Sequence, residues 1–449
     1  IGSMSSNKIS SVYVNPIEGI IYITPEGSGL KDGSSWNNAT PYLQYAVAQA
    51  NTFDPIAEVW VKAGTYYGDG IVGNNAFNIV ENVKVYGGLA GDESAGYDMT
   101  TRDLANNKTI LDGQNIQRVL FQNEPFEEGG TTLWDGFTIT NGHLSQADFH
   151  RLNSVYCKVS NINGGVGLYH LAGAGALVLD NASLKNMIFD NNSIETDASI
   201  ESQYSNSMMA NTLAMIGSVA DNITIINAVT PSCNSTQYKN AYLYSVNSTI
   251  TNSAFNNNAG KIFAYNSTLD HCEINDNQSL VEMPDKENYS NMVLEVFAST
   301  IKNSKIHHNK GVTISRYKIK GTQYANTFVN TFINDNEGLA VVNHSLESGD
   351  KFINCNIIGN NSTYSGSIYY MVSGGEFHNT VVWNNRNLIG AAFDFDRNNL
   401  DKYSFNNCAV ELGLQGVDGV IALAPNNSGS SQTYGYVNFI SPEGGDYDL

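Results

Sequence analysis

The sequence has few basic residues, little proline and no long apolar run. Of its 449 residues, 23 are Lys or Arg and 43 are Asp or Glu, which gives a formal net charge of −20. This balance argues against nucleic-acid partners and anionic membranes, because both are themselves negatively charged. No apolar stretch reaches the roughly 18 residues of a transmembrane helix, so no membrane insertion is predicted. The opening residues IGSMSSNK show no signal peptide and are typical of a processed start.

Asparagine, by contrast, recurs at fixed positions through the second half of the chain. Eight segments align on their first large apolar residue, which we call the anchor: Leu184, Ile250, Leu269, Ile301, Phe328, Phe352, Phe377 and Phe405. The second residue after each anchor is Asn, except for His271, and the fifth is apolar. The eighth is Asn again until Gly413 ends the run. Anchors 19 to 32 residues apart from Ile250 onward indicate stacked repeats.

Each repeat reads as short strands separated by bends. Apolar and polar residues alternate over spans too short for helices. We therefore predict an all-β protein, a single-domain parallel β-helix of roughly 14 coils. An inward-facing Asn at a bend would bond the backbone and the Asn one coil away, at about 4.8 Å, and so build interior asparagine ladders.

The predicted boundaries follow from the extent of the repeat. Residues 1–20 form an extended or disordered segment, 21–57 an N-terminal cap, 58–413 the coils and 414–449 a C-terminal cap, so that the domain spans 21–449. A capping helix is predicted over Pro41 to Asn51, with Thr40 as its N-cap. We expect four excursions to protrude from the coils and to be candidates for function, at 143–180, 195–217, 229–243 and 281–295.

The five cysteines say little about the compartment. Cys272, Cys355 and Cys408 share the third position after the anchor, and the coil rise puts them about 14 Å and 10 Å apart. Because a disulfide needs Cα atoms within about 7 Å, we expect buried free thiols. Cys157 and Cys233 lie in excursions, and the sequence leaves open whether they pair.

The N-terminal third carries a resemblance. The segments IYITPEGSGLKDGSSWNNATPYLQYAVAQA, EVWVKAGTYY, VKVYGGLAGDES, TILDG and LWDGFTITNG occur in that order. This series resembles secreted right-handed parallel β-helix proteins of Bacteroidetes, which are related to pectate-lyase-like and polymorphic outer-membrane proteins. The resemblance is close over about residues 20–142, and the repeats carry it to about 413. It implies a right-handed helix, a secreted, cell-surface or outer-membrane-associated location and a link to glycans. Lyases, hydrolases and adhesion proteins all occur in this family, so the resemblance implies no single activity.

Catalytic signals are sparse. Arg316, Lys318 and Lys320 alternate in SRYKIKG, so one face of a strand would present three cations to an acidic polysaccharide. A solvated outward strand face explains the same pattern. Glycoside hydrolysis needs two placed carboxylates, and no Asp-Asp pair occurs. No P-loop, dinucleotide fingerprint or Cys/His metal motif occurs either.

One segment has the spacing of a calcium loop. Asp394, Asp396 and Asn398 match the start of such a loop, but the Gly and the distal Glu are missing. A structural segment with no ion is the alternative. No other cofactor is predicted.

Aromatic residues are the remaining signal. Tyr369, Tyr370, Trp383, Phe395 and Tyr403 concentrate in the late coils, and exposed rings stack on the apolar C–H faces of sugars. Trp383 follows the inward apolar position, so we expect it to point outward. The alternative is that these rings only pack along strands.

Together these observations favour a monomeric, secreted or cell-surface protein that binds a polysaccharide or glycoconjugate, or mediates adhesion, without catalysis. Two alternatives stay open: a polysaccharide lyase that acts on acidic polysaccharide, and a structural surface stalk.

Overall fold

Short parallel strands stack into a parallel β-helix with three faces around one core. The computed structural model describes residues 14–53, 55–72, 74–144, 155–160, 166–194, 207–229, 241–279, 292–316, 325–338, 342–344, 349–362, 369–371, 375–386, 403–411 and 418–423. Within these ranges the inner strands of each face pair in parallel with the strand one coil before and the strand one coil after. The predicted fold class, with its interior asparagine ladders, is confirmed.

The first face contains thirteen strands in the described part of the chain, close to the roughly 14 coils expected from the repeat. They are Ile20–Ile23, Glu58–Lys62, Lys84–Leu89, Thr132–Asp135, the start of Ala182–Asp190, the start of Val219–Ile226, Thr249–Thr251, Thr268–Asp270, Thr300–Lys302, Thr327–Val329, Lys351–Ile353, Gly375–His378 and Tyr403–Asn406. Their register aligns the anchors, for example Ile250 with Leu269.

The second face follows the first around a corner. Its strands are Gly64–Tyr67, Thr109–Asp112, Phe137–Thr140, the ends of Ala182–Asp190 and Val219–Ile226, Ala254–Asn256, Glu273–Asn275, Lys305–His307, Phe332–Asn334, Asn356–Ile358, Val381–Trp383, Cys408–Glu411 and Val420–Leu423. The last strand pairs with Cys408–Glu411, so this face continues beyond residue 413, where the sequence repeat fades.

The third face consists of Asn75–Asn78, Arg118–Phe121, Ala176–Val178, Ser207–Ile216, Ala241–Val246, Ile262–Tyr265, Met292–Phe297, Val312–Arg316, Val342–His344 and Tyr369–Met371. Val155–Ser160 pairs antiparallel with Val166–Gly173, which joins this face beside Ser207–Ile216. Two short pairs complete the strands: His143–Leu144 with Ser193–Ile194, and Glu337–Gly338 with Asn361–Ser362.

Parts of all four expected excursions belong to the third face, so the expectation that these parts protrude is wrong. Ala241–Val246 and Met292–Phe297, for example, are buried along their whole length. A strand that is covered on both sides shows a continuous apolar run rather than alternation, and the repeat pattern therefore misses it.

The core is a stack of anchor side chains. The rings of Phe328, Phe352 and Phe377 lie 4.8 Å and 4.9 Å apart with nearly parallel planes, and Phe405 continues the stack at 5.2 Å. All three of the first named rings are fully buried. Because the ring spacing matches the inter-strand spacing, each coil buries its apolar residues against its neighbours.

Among the described residues there is one α-helix, Leu43–Ala50, which covers the N-terminal end of the core with Leu43, Ala46, Val47 and Ala50. Its N-cap is Tyr42, so the prediction of Thr40 as N-cap is wrong. Thr40 is extended and its backbone bonds Tyr22 and Thr24, which places it in the sheet before the helix begins. The described residues also form two 3-10 helices, Trp36–Asn38 and Met99–Thr101. None of the described helices has the length and apolarity to cross a membrane.

Candidate functional site

The buried asparagine column shows how the corners are held. We call Asn258, Asn277, Asn309, Asn336, Asn360 and Asn385, eight residues after their anchors, the inner column. Each is at most 1% exposed. The Oδ1 of Asn309 accepts from the backbone N–H of Asn277 at 3.0 Å, and its Nδ2 donates to the carbonyl of Ile274 at 2.9 Å. These bonds satisfy buried backbone groups at a bend.

The asparagine column two residues after the anchor behaves differently. We call Asn303, Asn330, Asn354 and Asn379 the outer column. These four residues have φ of 48° to 53°, and the residues at the same position in other coils, Asn252, His271 and Asn407, have φ of 52° to 55°. The Nδ2 of Asn330 donates to the Oδ1 of Asn303 at 3.0 Å, on the solvent side of the corner. The expectation that these residues face inward is therefore wrong, because the left-handed backbone turns the following residue, not the Asn, toward the core.

The outward side of the second face presents aromatic, basic and acidic side chains together. Val382 is buried, and the next residue, Trp383, is partly exposed and packs against Ile358. Phe332 is also partly exposed, and the Nζ of Lys305 lies 6.0 Å from its ring centroid. Apolar rings and hydrogen-bonding groups therefore share one surface, which we call the outward second face.

Glu273, His307 and His308 form a connected chain on this surface. The Nε2 of His307 lies 3.0 Å from the Oε1 of Glu273, and its Nδ1 lies 2.8 Å from the Nδ1 of His308. Partial burial lowers the pKa of His307 from its ordinary value, and the charges of His308 and Lys305 act in the same direction, whereas Glu273 opposes them.

The candidate lyase residues lie elsewhere. Arg316 ends a third-face strand and pairs in register with His344. Lys318 and Lys320 lie outside the described residues, so the expected row of three cations stays a prediction. Asp394, Asp396 and Asn398, the candidate calcium ligands, also lie outside them. Among the residues that are described, no group of three or more His, Cys, Asp and Glu side chains could hold a metal ion.

The aromatic residues chosen from the sequence do not share one surface. Tyr369 and Tyr370 belong to a third-face strand, whereas Trp383 belongs to the second face. Tyr403 is 7% exposed and packs in the core against Phe377 and Phe405. It therefore lies inside the coil and presents no face to a sugar. Phe395 falls outside the described residues.

The described thiols are structural. Cys272, Cys355 and Cys408 are buried and free, as predicted. Burial raises the pKa of Cys272 and of Cys355 to about 12, so neither supplies a thiolate nucleophile at neutral pH. Cys233 lies outside the described residues, so a bond between Cys157 and Cys233 stays an open alternative.

Sequence reasoning missed Phe332 and the connection of Glu273 with His307 and His308. Their places in the repeat contain the signal. Positions four and six after the anchor alternate with the buried fifth position, so Glu273, Lys305, Phe332 and His307 all point outward. His308, at the seventh position, occupies a left-handed corner with φ of 53°.

By sequence, no protein-family model and no curated protein matches the chain. Several solved structures are similar at low identity. Pectate lyase Pel9A is 14% identical over 95% of this chain and 84% of its own, with a TM-score of 0.33. A rhamnogalacturonan lyase is 12% identical over 94% and 90%, with a TM-score of 0.36. A tailspike protein mutant of E. coli bacteriophage HK620, in complex with a pentasaccharide, is 12% identical over 82% and 67%, with a TM-score of 0.30. These values are too low to transfer any residue's role.

Proposed function

We propose that this chain is a secreted or cell-surface protein that binds a polysaccharide or glycoconjugate, in adhesion rather than catalysis, through the outward second face. The observation that carries the proposal is the pair of partly exposed rings on this face, Phe332 beside Lys305 and Trp383 packed against Ile358. Sugar rings have apolar C–H faces that stack on aromatic rings, while their hydroxyl groups need hydrogen-bonding neighbours.

The register gives this surface a regular layout. Phe332, Asn356 and Val381 follow one another in one outward row, and Asn334, Ile358 and Trp383 follow one another in the next row, where Asn334 and Ile358 are buried and Trp383 is partly exposed. The two rings are therefore two coils apart, about 10 Å along the axis. Because both rows belong to paired strands, the rings are held by the sheet and little ordering is needed when a ligand binds.

A glycan array tests the proposal. We expect the chain to bind at least one glycan on the array. Trp383→Ala should weaken that binding by about tenfold, which corresponds to the loss of about 1.4 kcal/mol of stacking free energy. Phe332→Ala should weaken it less, because this ring also faces Lys305. Tyr67→Ala is the matched control, since Tyr67 is a 55% exposed ring at the N-terminal end of the same face.

A parallel assay measures the ultraviolet absorbance of the unsaturated product of β-elimination, with calcium present. Product formation from an acidic polysaccharide would overturn the non-catalytic proposal and direct mutation to Arg316, Lys318 and Lys320. If the chain shows neither glycan binding nor product formation, the structural stalk is the remaining function. Equal losses in Trp383→Ala and Tyr67→Ala would place the binding surface elsewhere.

A further inference from the structure

The contact between the two adjacent histidines is unusual because it joins two nitrogens of the same kind. The Nδ1 atoms of His307 and His308 lie 2.8 Å apart, and the ring planes are inclined by 71°. His307 points outward from its strand with a side chain that is 14% exposed, and His308 occupies the exposed left-handed corner that follows. A contact this short is a hydrogen bond, so one of the two Nδ1 atoms donates its proton and the other accepts it.

Glu273 decides which nitrogen of His307 carries the proton. Its Oε1 lies 3.0 Å from Nε2 of His307, and a carboxylate can only accept a hydrogen bond. The Nε2 of His307 is then the protonated nitrogen, and its Nδ1 accepts from the Nδ1–H of His308. A metal ion held by both Nδ1 atoms would take the place of this shared proton, with His308 in the tautomer that carries its proton on Nε2. Metal-binding histidines show this same arrangement, in which a carboxylate orients the ring and raises the basicity of the ligating nitrogen.

We propose that the Nδ1 atoms of His307 and His308 bind one divalent transition-metal ion, with Glu273 as the positioning residue. At a metal–nitrogen distance of about 2.05 Å, two nitrogens 2.8 Å apart subtend about 86° at the metal. This angle fits two adjacent positions of the tetragonal geometry of Cu(II) or Ni(II). A tetrahedral zinc site would need nitrogens about 3.3 Å apart.

The charges around the pair favour a cation. Asp276 and Asp335 occupy the same corner position as His308 in the two neighbouring coils, and all three have φ of 52° or 53°. Glu273 adds a third carboxylate, while Lys305 on the same strand as His307 and Lys310 two residues after His308 are the cations close by in the chain. With no third His, Cys, Asp or Glu ligand in the described part of the chain, the other coordination positions fall to water.

Copper titration of the intact chain, without a histidine tag, tests this site. We expect one Cu(II) to bind with imidazole nitrogen couplings in the electron paramagnetic resonance spectrum. Glu273→Gln should weaken binding by about 10- to 100-fold, the usual effect of losing an orienting partner. His308→Asn should weaken it at least as much, and the variant should fold, because Asn257 and Asn384 occupy the same left-handed position in other coils.

His271→Asn is the matched control. It makes the same substitution at another exposed left-handed corner, where the contact of His271 within the described part of the chain is with Asp270. Copper affinity should be unchanged in this variant. Equal affinity in the wild type and His308→Asn would overturn the proposal, as would a spectrum without imidazole coupling. Thermal unfolding of each metal-free variant separates loss of the site from loss of the fold.

Discussion

The inner and outer asparagine columns use the same residue for different physical reasons. Both recur once per coil and both carry hydrogen bonds from one coil to the next. The inner Asn309 is fully buried and bonds backbone groups of neighbouring coils, whereas the outer Asn303 stands at the solvent side of a left-handed corner with φ of 51°. A recurring residue therefore does not identify which of its properties the fold requires.

Substitutions within the columns separate these properties. The inner column depends on the side chain, because its amide satisfies N–H and C=O groups that have no access to water. The outer column depends on the backbone, because Asn accepts a conformation that costs other residues about 1–2 kcal/mol. The same substitution should therefore have unequal effects in the two columns.

The largest effect is expected from Asn309→Ala in the inner column. Removing the amide leaves the N–H of Asn277 and the carbonyl of Ile274 without their partner, and each such group costs about 1–3 kcal/mol. We expect the free energy of unfolding to fall by about 3 kcal/mol. Urea unfolding followed by circular dichroism measures this change.

Asn309→Asp is the companion variant. It retains an acceptor for the N–H of Asn277, but it replaces the donor by a carboxylate oxygen that faces the carbonyl of Ile274 and the Oδ1 of Asn336, two acceptors, in a fully buried site. The loss should therefore be at least as large as in Asn309→Ala. If the free energy of unfolding falls by less than about 1 kcal/mol in Asn309→Ala, water replaces the amide. The inner column is then not needed to supply hydrogen bonds to the buried backbone groups.

A smaller effect is expected from Asn303→Ala in the outer column. Alanine must adopt the left-handed backbone at this corner, so the free energy of unfolding should fall by about 1 kcal/mol. Asn303→Gly should cost only a few tenths of a kcal/mol, because glycine adopts this conformation freely. Equal losses for alanine and glycine would show that the Asn330–Asn303 bond, rather than backbone conformation, sets the requirement at this position.

The sequence predicted the parts of the fold in which one face is buried and the other is exposed. The alternation around Ile306, between Lys305 and His307, is of this kind. It could not predict the third face, because Ala241–Val246 is covered on both sides and shows no alternation. From its place in the repeat Trp383 was expected to point outward, but the sequence grouped it with Tyr403, which stands two residues before the anchor Phe405 and packs in the core.

The candidate site was still harder to predict. Glu273 and His307 are 34 residues apart in the chain, and this separation differs from that of equivalent residues in other coils because the coils differ in length. Their contact follows only from the register Glu273–Lys305, which places the two outward rows side by side. Knowing the residue types without the register gives no reason to connect them.

Cys272→Ser should have a still smaller effect. Cys272 occupies the inward corner position that Ser253 and Ser304 occupy in the adjacent coils, and its Sγ lies 3.6 Å from the carbonyl of Asp270. A hydroxyl can make that bond at the cost of some packing, so we expect a change within about 1 kcal/mol by urea unfolding. If the free energy of unfolding falls as much as in Asn309→Ala, this corner, like the inner column, requires one particular side chain.

The smallest expected effect concerns pH, and it arises where the outer ladder contains Asp270 instead of an amide. Burial alone would raise the pKa of Asp270, but hydrogen bonds from Asn303 and Lys302 and the charges of Lys302 and His271 together hold it below its ordinary value. Because the folded-state pKa is lowered, this contribution is present above the unfolded value of about 3.9 and is lost as pH falls through the folded value. Thermal unfolding between about pH 6 and about pH 2 should therefore show a steeper loss for the wild type than for Asp270→Asn, whose amide does not titrate. Parallel curves would mean that solvent screens the exposed corner, and that the outer column contributes through backbone conformation alone.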